Sequence, residues 1–266
     1  MGTAAVAQHL LVDDGRCHKP GLSADTHHCR LGSGRGLAPL HDEAARFYRL
    51  QLHRHGEAIA YLHQRGVRSP ELTEHMRIGF APGGCLRSWL MQLGYDLPVL
   101  RQTGLVTAAG RDAYAHRIVF PLESNLYARS ISASAPAHRF LPGSKGGLYA
   151  WEQVRQYPQV IVVEGLFDYA VLWQAGFHQV TCSLGIHLNV RQFQQLCDRP
   201  RTVYVAFDAD ANGSGQQAAQ SLAQRLRLQG VNTRRVLLPG GHDPNSFFVQ
   251  GGSAREFESL MEAAPL

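Results

Sequence analysis

The stretch Val160-Ile161-Val162-Val163-Glu164-Gly165-Leu166-Phe167-Asp168 decides how this chain is read. Four consecutive branched apolar residues predict a short strand buried on both faces, the kind found in parallel sheets. A carboxylate follows at once, and a carboxylate abutting a buried strand is costly without a partner. Phe167–Ala175 then reads as a helix ended by Gly176.

The alternation continues downstream. Gln179–Thr181, Thr202–Phe207 and Thr233–Leu238 read as strands, and Leu188–Leu196 and Gly215–Gln229 as the helices between them. Strands alternating with helices predict an α/β domain, its mostly parallel sheet covered by helices on both faces. Five of the nine acids beyond residue 157 sit at or just past strand ends: Glu164, Asp168, Asp208, Asp210 and Asp243. Groups beyond the carboxyl ends of such strands face one crevice. Carboxylates gathered there repel one another unless a proton or a divalent cation sits among them. Carboxylates, waters and substrate phosphates are what hold Mg²⁺, and Mn²⁺ suits the same oxygens. No Cys/His cluster accompanies these acids, which argues against a softer metal. Taken singly, each piece also fits a structural part: the Asp208–Gly215 segment a turn capping its helix, Asp243-Pro244 a helix cap.

Upstream the character changes. Residues 1–40 are rich in Gly, His and Pro and read as a loose arm. Asp42–His55, Glu57–Arg65 and Leu86–Leu93 have helical spacing, and Ser69-Pro70-Glu71 is a helix start. Residues 78–83 read as the end of that helical region. Arg117–Pro121 and Leu126–Ile131 read as strands, with loops around Pro136, Pro142 and Gly146-Gly147. The charge is divided: the net charge is +5, yet residues 1–157 carry +6 and residues 158–266 carry −1. Only Lys19 and Lys145 are lysines, and arginine suits bidentate contact with phosphates. No apolar run approaches the ~18 residues of a membrane span. Five scattered cysteines fit a reducing cytoplasm.

Three acidic segments carry a resemblance. Val162-Val163-Glu164-Gly165-Leu166-Phe167-Asp168, Ala206-Phe207-Asp208-Ala209-Asp210 and Leu238-Pro239-Gly240-Gly241-His242-Asp243-Pro244-Asn245 resemble the acidic motifs of TOPRIM domains, and Ser183-Leu184-Gly185 matches the primase version. Tyr61–Gly66, Arg77–Pro82, Arg117–Pro121, His138–Gly143 and Lys145–Tyr149 are similar to the upstream parts of the bacterial DnaG-type primase core, in the same order. The resemblance implies an α/β fold in which a TOPRIM-type sheet, residues 158–250, follows a smaller basic α+β subdomain, residues 41–157. A C-terminal helix lies within 251–266.

It also implies roles. Asp208 and Asp210 would hold Mg²⁺ (or Mn²⁺), Asp168 and Asp243 would complete the site, and Glu164 would join the metals or move a proton. Arg117, Arg129, Arg139 and Lys145 would contact template or nucleotide phosphates. The implied reaction is primer synthesis on single-stranded DNA from nucleoside triphosphates in the cytoplasm, with a helicase or other replication protein as a partner and no membrane. A TOPRIM nuclease and a non-catalytic DNA-binding module are the alternatives. Two departures stand out. Asn245 replaces the usual second Asp of the last motif. Cys17, His28 and Cys29 lie where the family carries zinc, but off its spacing, and read as a degenerate remnant. Residues 251–266 leave no room for a helicase-binding domain.

Overall fold

The structure, a computed structural model, describes residues 37–133, 135–208 and 213–265. Cys17, His28, Cys29 and Asp210 lie outside the described residues.

The first part opens with α1 (Leu37–Leu52), α2 (Gly56–Gln64) and α3 (Pro70–His75). The expected helix start is in place: Ser69 Oγ accepts the Leu72 N–H (3.2 Å) and Pro70 occupies the first turn. Strand β1 (Gly79–Ala81), α4 (Leu86–Gln92), α5 (Leu97–Gln102), β2 (Arg117–Pro121), β3 (Leu126–Ser130) and β4 (His138–Phe140) follow. The carboxylate of Asp112 caps α4 from a distance, accepting the N–H groups of Cys85, Leu86 and Arg87 at 2.7–2.9 Å. The four strands form an antiparallel sheet in the order β1-β2-β3-β4. Helix α1 lies so close to β1 that a Cβ on Gly79 would sit 2.6 Å from the Tyr48 backbone.

The second part runs α6 (Trp151–Val154), β5 (Gln159–Val163), α7 (Leu166–Gln174), β6 (Val180–Cys182), α8 (Val190–Cys197), β7 (Thr202–Ala206), α9 (Ser214–Leu228), β8 (Asn232–Arg235), a 3₁₀ turn, α10 (Pro244–Val249) and α11 (Ala254–Glu262). Its four strands are all parallel, in the order β6-β5-β7-β8. The deciding stretch divides as a doubly covered strand must. Ile161 and Val163 face one core with α7 and α11, while Val160 and Val162 face another with α8 and α9.

The first of those cores also holds Leu62, Ile78, Ile118 and Phe120, so it runs unbroken from one sheet to the other. Phe167 is the joint: its ring meets Phe120 edge-on at 5.6 Å and Tyr61 at 6.0 Å.

Two strands differ from expectation. Gly79–Ala81 is a strand rather than a helix end, because three residues are too short to show a period of two. His138–Phe140 is an edge strand rather than a loop, and its polar residues carry no apolar alternation. Regular pairing of β8 stops at Arg235, although the Val236 N–H still reaches the Val205 carbonyl (3.0 Å). Among the described residues no helix is long and apolar enough to cross a membrane.

Candidate metal and phosphate site

The chain leaves β5 to pair β6 on one side and β7 on the other, so the crevice of the parallel sheet opens between β5 and β7. Glu164 directly follows β5 and Asp208 lies two residues past β7. Asp168 is in the first turn of α7 and only 5% exposed. Its Oδ2 accepts the Gly165 N–H (3.0 Å) and its Oδ1 the Asn245 N–H (3.0 Å). A Cβ on Gly165 would stand 2.8 Å from that same Oδ2 and would push the carboxylate out of its present place. Asp243 caps α10 by accepting the Ser246 N–H. The capping reading of Asp243-Pro244 is therefore met, and the cap leaves Asp243 near the other acids.

Asp168, Asp208 and Asp243 each offer a ligand atom within 4.8 Å of the others. Burial pushes the Asp168 carboxyl well above the usual carboxylate range, and the charges of Asp208 and Asp243 push it further against the two N–H bonds. Three oxygen donors under mutual repulsion fit a hard divalent cation, which would relieve the repulsion and be held by it. Glu164 stands at the same sheet end but outside this trio; its backbone carbonyl accepts the Gly185 N–H (3.0 Å).

Beside the acids lies a cationic cluster from the antiparallel sheet. Arg117 starts β2, Arg129 is in β3, Arg139 in β4 and Lys145 in the loop beyond. Arg129, Arg117 and Lys145, joined by Arg65, lie around His138, whose imidazole is held below its ordinary value by burial and then by these four charges. Arg139, the next residue along β4, lies opposite Ala128 on the other face of the sheet, where its charge is felt by Arg117. Its Nε2 is 2.8 Å from Arg129 Nη1 and its Nδ1 is 2.7 Å from Tyr127 Oη. A guanidinium only donates, so Nε2 accepts and Nδ1 carries the proton. Arg117 is 4% exposed, and its Nη1 has no hydrogen-bond partner. None of Arg65, Arg117, Arg129, Arg139 or Lys145 forms an ion pair among the described residues. Such a cluster favours an anion with several oxygens.

The two clusters meet at the end of β6. Lys145 Nζ donates to the Leu184 carbonyl (2.9 Å), in a turn where Leu184 takes the left-handed φ of 59°. Burial raises the neighbouring Cys182 thiol, with Asp168 and Glu164 adding to the rise and Lys145 opposing it.

The sequence alone singled out neither Arg65 nor His138 as part of this region, and it marked Asn245 only as a departure within the last acidic motif. Arg65 and His138 lie in the stretches already quoted, but their roles depend on groups far away in the chain.

Comparison with known proteins follows the same division. Residues 47–133 match the family of the DNA primase catalytic core, N-terminal domain, and residues 161–248 match a Toprim-like family. The DNA primase of Pasteurella multocida is 31% identical over 258 residues, covering 88% of this chain and 44% of that protein. The DNA primase of Aquifex aeolicus is 28% identical over 253 residues, covering 84% and 50%. The chain thus spans half or less of the length of these relatives. Among solved structures, the zinc-binding and RNA polymerase domains of the Aquifex aeolicus primase superpose with a TM-score of 0.76 at 26% identity, covering 86% of this chain and 61% of that one. A DnaG primase catalytic domain bound to single-stranded DNA superposes with a TM-score of 0.72 at 25% identity, covering 86% and 81%.

Proposed function

Because the chain has the build of a bacterial DnaG-type primase core, we propose that it synthesises short primers on single-stranded DNA from nucleoside triphosphates. The observation that carries this reading is the pairing of an acidic trio with a cationic cluster that forms no ion pair among the described residues, where two sheets meet. A trio alone would fit many metal proteins, and a basic cluster alone many phosphate binders.

In this reading Asp168, Asp208 and Asp243, with Asp210 two positions after Asp208 in the sequence, would hold the divalent ion, Mg²⁺ in the cell and Mn²⁺ as a substitute. The bound ion would lower the pKa of the attacking 3′-hydroxyl and neutralise charge on the phosphates. Gly165 and Asn245 hold Asp168 by their N–H groups, so its oxygens are set before substrate arrives. In the same reading Glu164 assists at the metals or takes the hydroxyl proton. Arg117, Arg129, Arg139 and Lys145 neutralise phosphates of the template or the incoming nucleotide. His138, neutral and accepting from Arg129, keeps that guanidinium oriented. A helicase or other replication protein is the proposed partner.

The test is a priming assay with single-stranded DNA, labelled nucleotides and Mg²⁺ or Mn²⁺, comparing the intact chain with Asp208→Ala/Asp210→Ala. Short metal-dependent products that vanish in the double variant are expected. Degradation of the template in place of products would make the chain a nuclease. Firm DNA binding that survives chelation, with no turnover on any template, would make it a binding module.

A further inference from the structure

The surroundings of Asn245 are those of a hydrogen-bond donor. It is 3% exposed. Its Nδ2 donates to the Arg65 carbonyl (2.7 Å) and lies 3.4 Å from the Phe167 carbonyl. Its own N–H donates to Asp168 Oδ1 (3.0 Å). The Arg65 carbonyl is at the C-terminal end of α2, where the helix leaves its last carbonyls without partners. A carboxylate in the same place would set negative oxygen against two carbonyl oxygens and could donate nothing.

The neighbourhood repeats this pattern. Gln174, on the last turn of α7, accepts the N–H groups of Arg68 and Ser69 (3.0 Å each) and donates to the Gly66 carbonyl (3.1 Å). Gly66 has φ +76°, and a Cβ there would press on Val249 at 2.9 Å and Val171 at 3.1 Å. The segment from Arg65 to Ser69 is therefore fitted closely against α7 and α10. The Arg65 guanidinium lies 4.8 Å over the Phe167 ring and is one of the cations around His138.

We propose that Asn245 is a positioning residue, not a metal ligand: its buried amide fastens the end of α2, and with it Arg65, to the helix that carries Asp168. One side chain thus sets the spacing between the cationic cluster and the acidic trio. Its effect on nucleotide binding rests on the polymerase reading; its effect on fastening does not.

The test uses the full chain and two variants, Asn245→Asp and Asn245→Ala, with Leu226→Ala as a control in the remote core beside α9. Melting is measured in EDTA, Mn²⁺ binding by the loss of the free-ion spin resonance signal, and affinity for a non-hydrolysable Mg²⁺–ATP analogue by titration of folded protein. Both Asn245 variants should melt about 5 °C or more lower in EDTA. Asn245→Asp should neither add nor tighten a Mn²⁺ site. Both should bind the analogue at least about fivefold more weakly. Leu226→Ala should lower melting while leaving that affinity unchanged.

Unchanged melting with tighter Mn²⁺ binding in Asn245→Asp would make residue 245 a ligand position and overturn the proposal. Lowered melting with unchanged analogue affinity would reduce Asn245 to a stabilising contact and overturn it equally. If the parent chain bound no analogue, the polymerase reading would fall, while melting and Mn²⁺ binding would still decide between fastener and ligand.

Discussion

At the scale of single residues, the chemistry is set by which charges are left to face each other. Asp168 remains a poor place for a negative charge although both its oxygens accept N–H bonds, because burial and two neighbouring carboxylates outweigh them. His138 is the mirror case among the cations. Its folded value is lowered, so between that value and the unfolded value of about 6.5 the unfolded chain holds the proton that the folded one refuses. The stability it contributes is therefore present above about pH 6.5 and lost as the pH falls through the lowered value. Its ring proton resonance should titrate with a midpoint below 6.5. His138→Gln should make the fall in melting temperature between about pH 7 and pH 5.5 less steep. A midpoint at or above the ordinary value would mean that the four cations do not act on the ring.

At the scale of elements, close approach decides which glycines matter. Gly79 in β1 lies against the backbone of α1, and a Cβ would meet Tyr48 at 2.6 Å. Backbone cannot step aside as a side-chain tip can, so Gly79→Ala should destabilise by about 2 kcal/mol or more. Gly56 opens α2 with nothing within 4 Å of where a Cβ would stand and no left-handed φ. Gly56→Ala should be neutral or stabilise by up to about 1 kcal/mol, through the entropy of the unfolded chain. Urea midpoints of the two variants check this, and equal shifts would contradict it. The strands show a similar contrast in legibility. β5 announces itself because both its faces are buried. β4 does not, because an exposed edge strand needs only a neighbour to pair with, and that neighbour is supplied by β3.

At the scale of the whole molecule, the shared core makes the two sheets one structural unit. Phe167 belongs to the parallel sheet's first helix yet packs on Tyr61 and Phe120 of the other part. Phe167→Ala should cost about 3–5 kcal/mol. Near-ultraviolet and far-ultraviolet signals should still lose structure together in the parent chain. Separate transitions for the two signals would show that the parts unfold independently. The division of charge acquires its meaning at this scale as well. A basic first part and a slightly acidic second part are a matter of composition, but the junction brings Lys145 beside the turn that follows β6, on the side of the sheet where Glu164 lies.

The parallel sheet and its acids could be read directly from the chain. A strand buried on both faces must be continuously apolar, and a carboxylate at its end must be there for a reason other than packing. Asp168, Asp208 and Asp243 were legible only as a set, since each alone also fits a structural part; the structure brings these three together and leaves Glu164 outside them. Asn245 was legible only as a departure, because an amide and a carboxylate differ in the sequence by one letter and in the fold by which neighbours they can face. The role of His138 was hidden for the same reason: its partners Arg129 and Tyr127 come from the adjacent strand, and Arg65 from a helix more than seventy residues earlier. Local composition determines where strands and acids fall along the chain. Which donors meet which acceptors depends on pairing between distant segments, and that is decided only when the two sheets close on their common core.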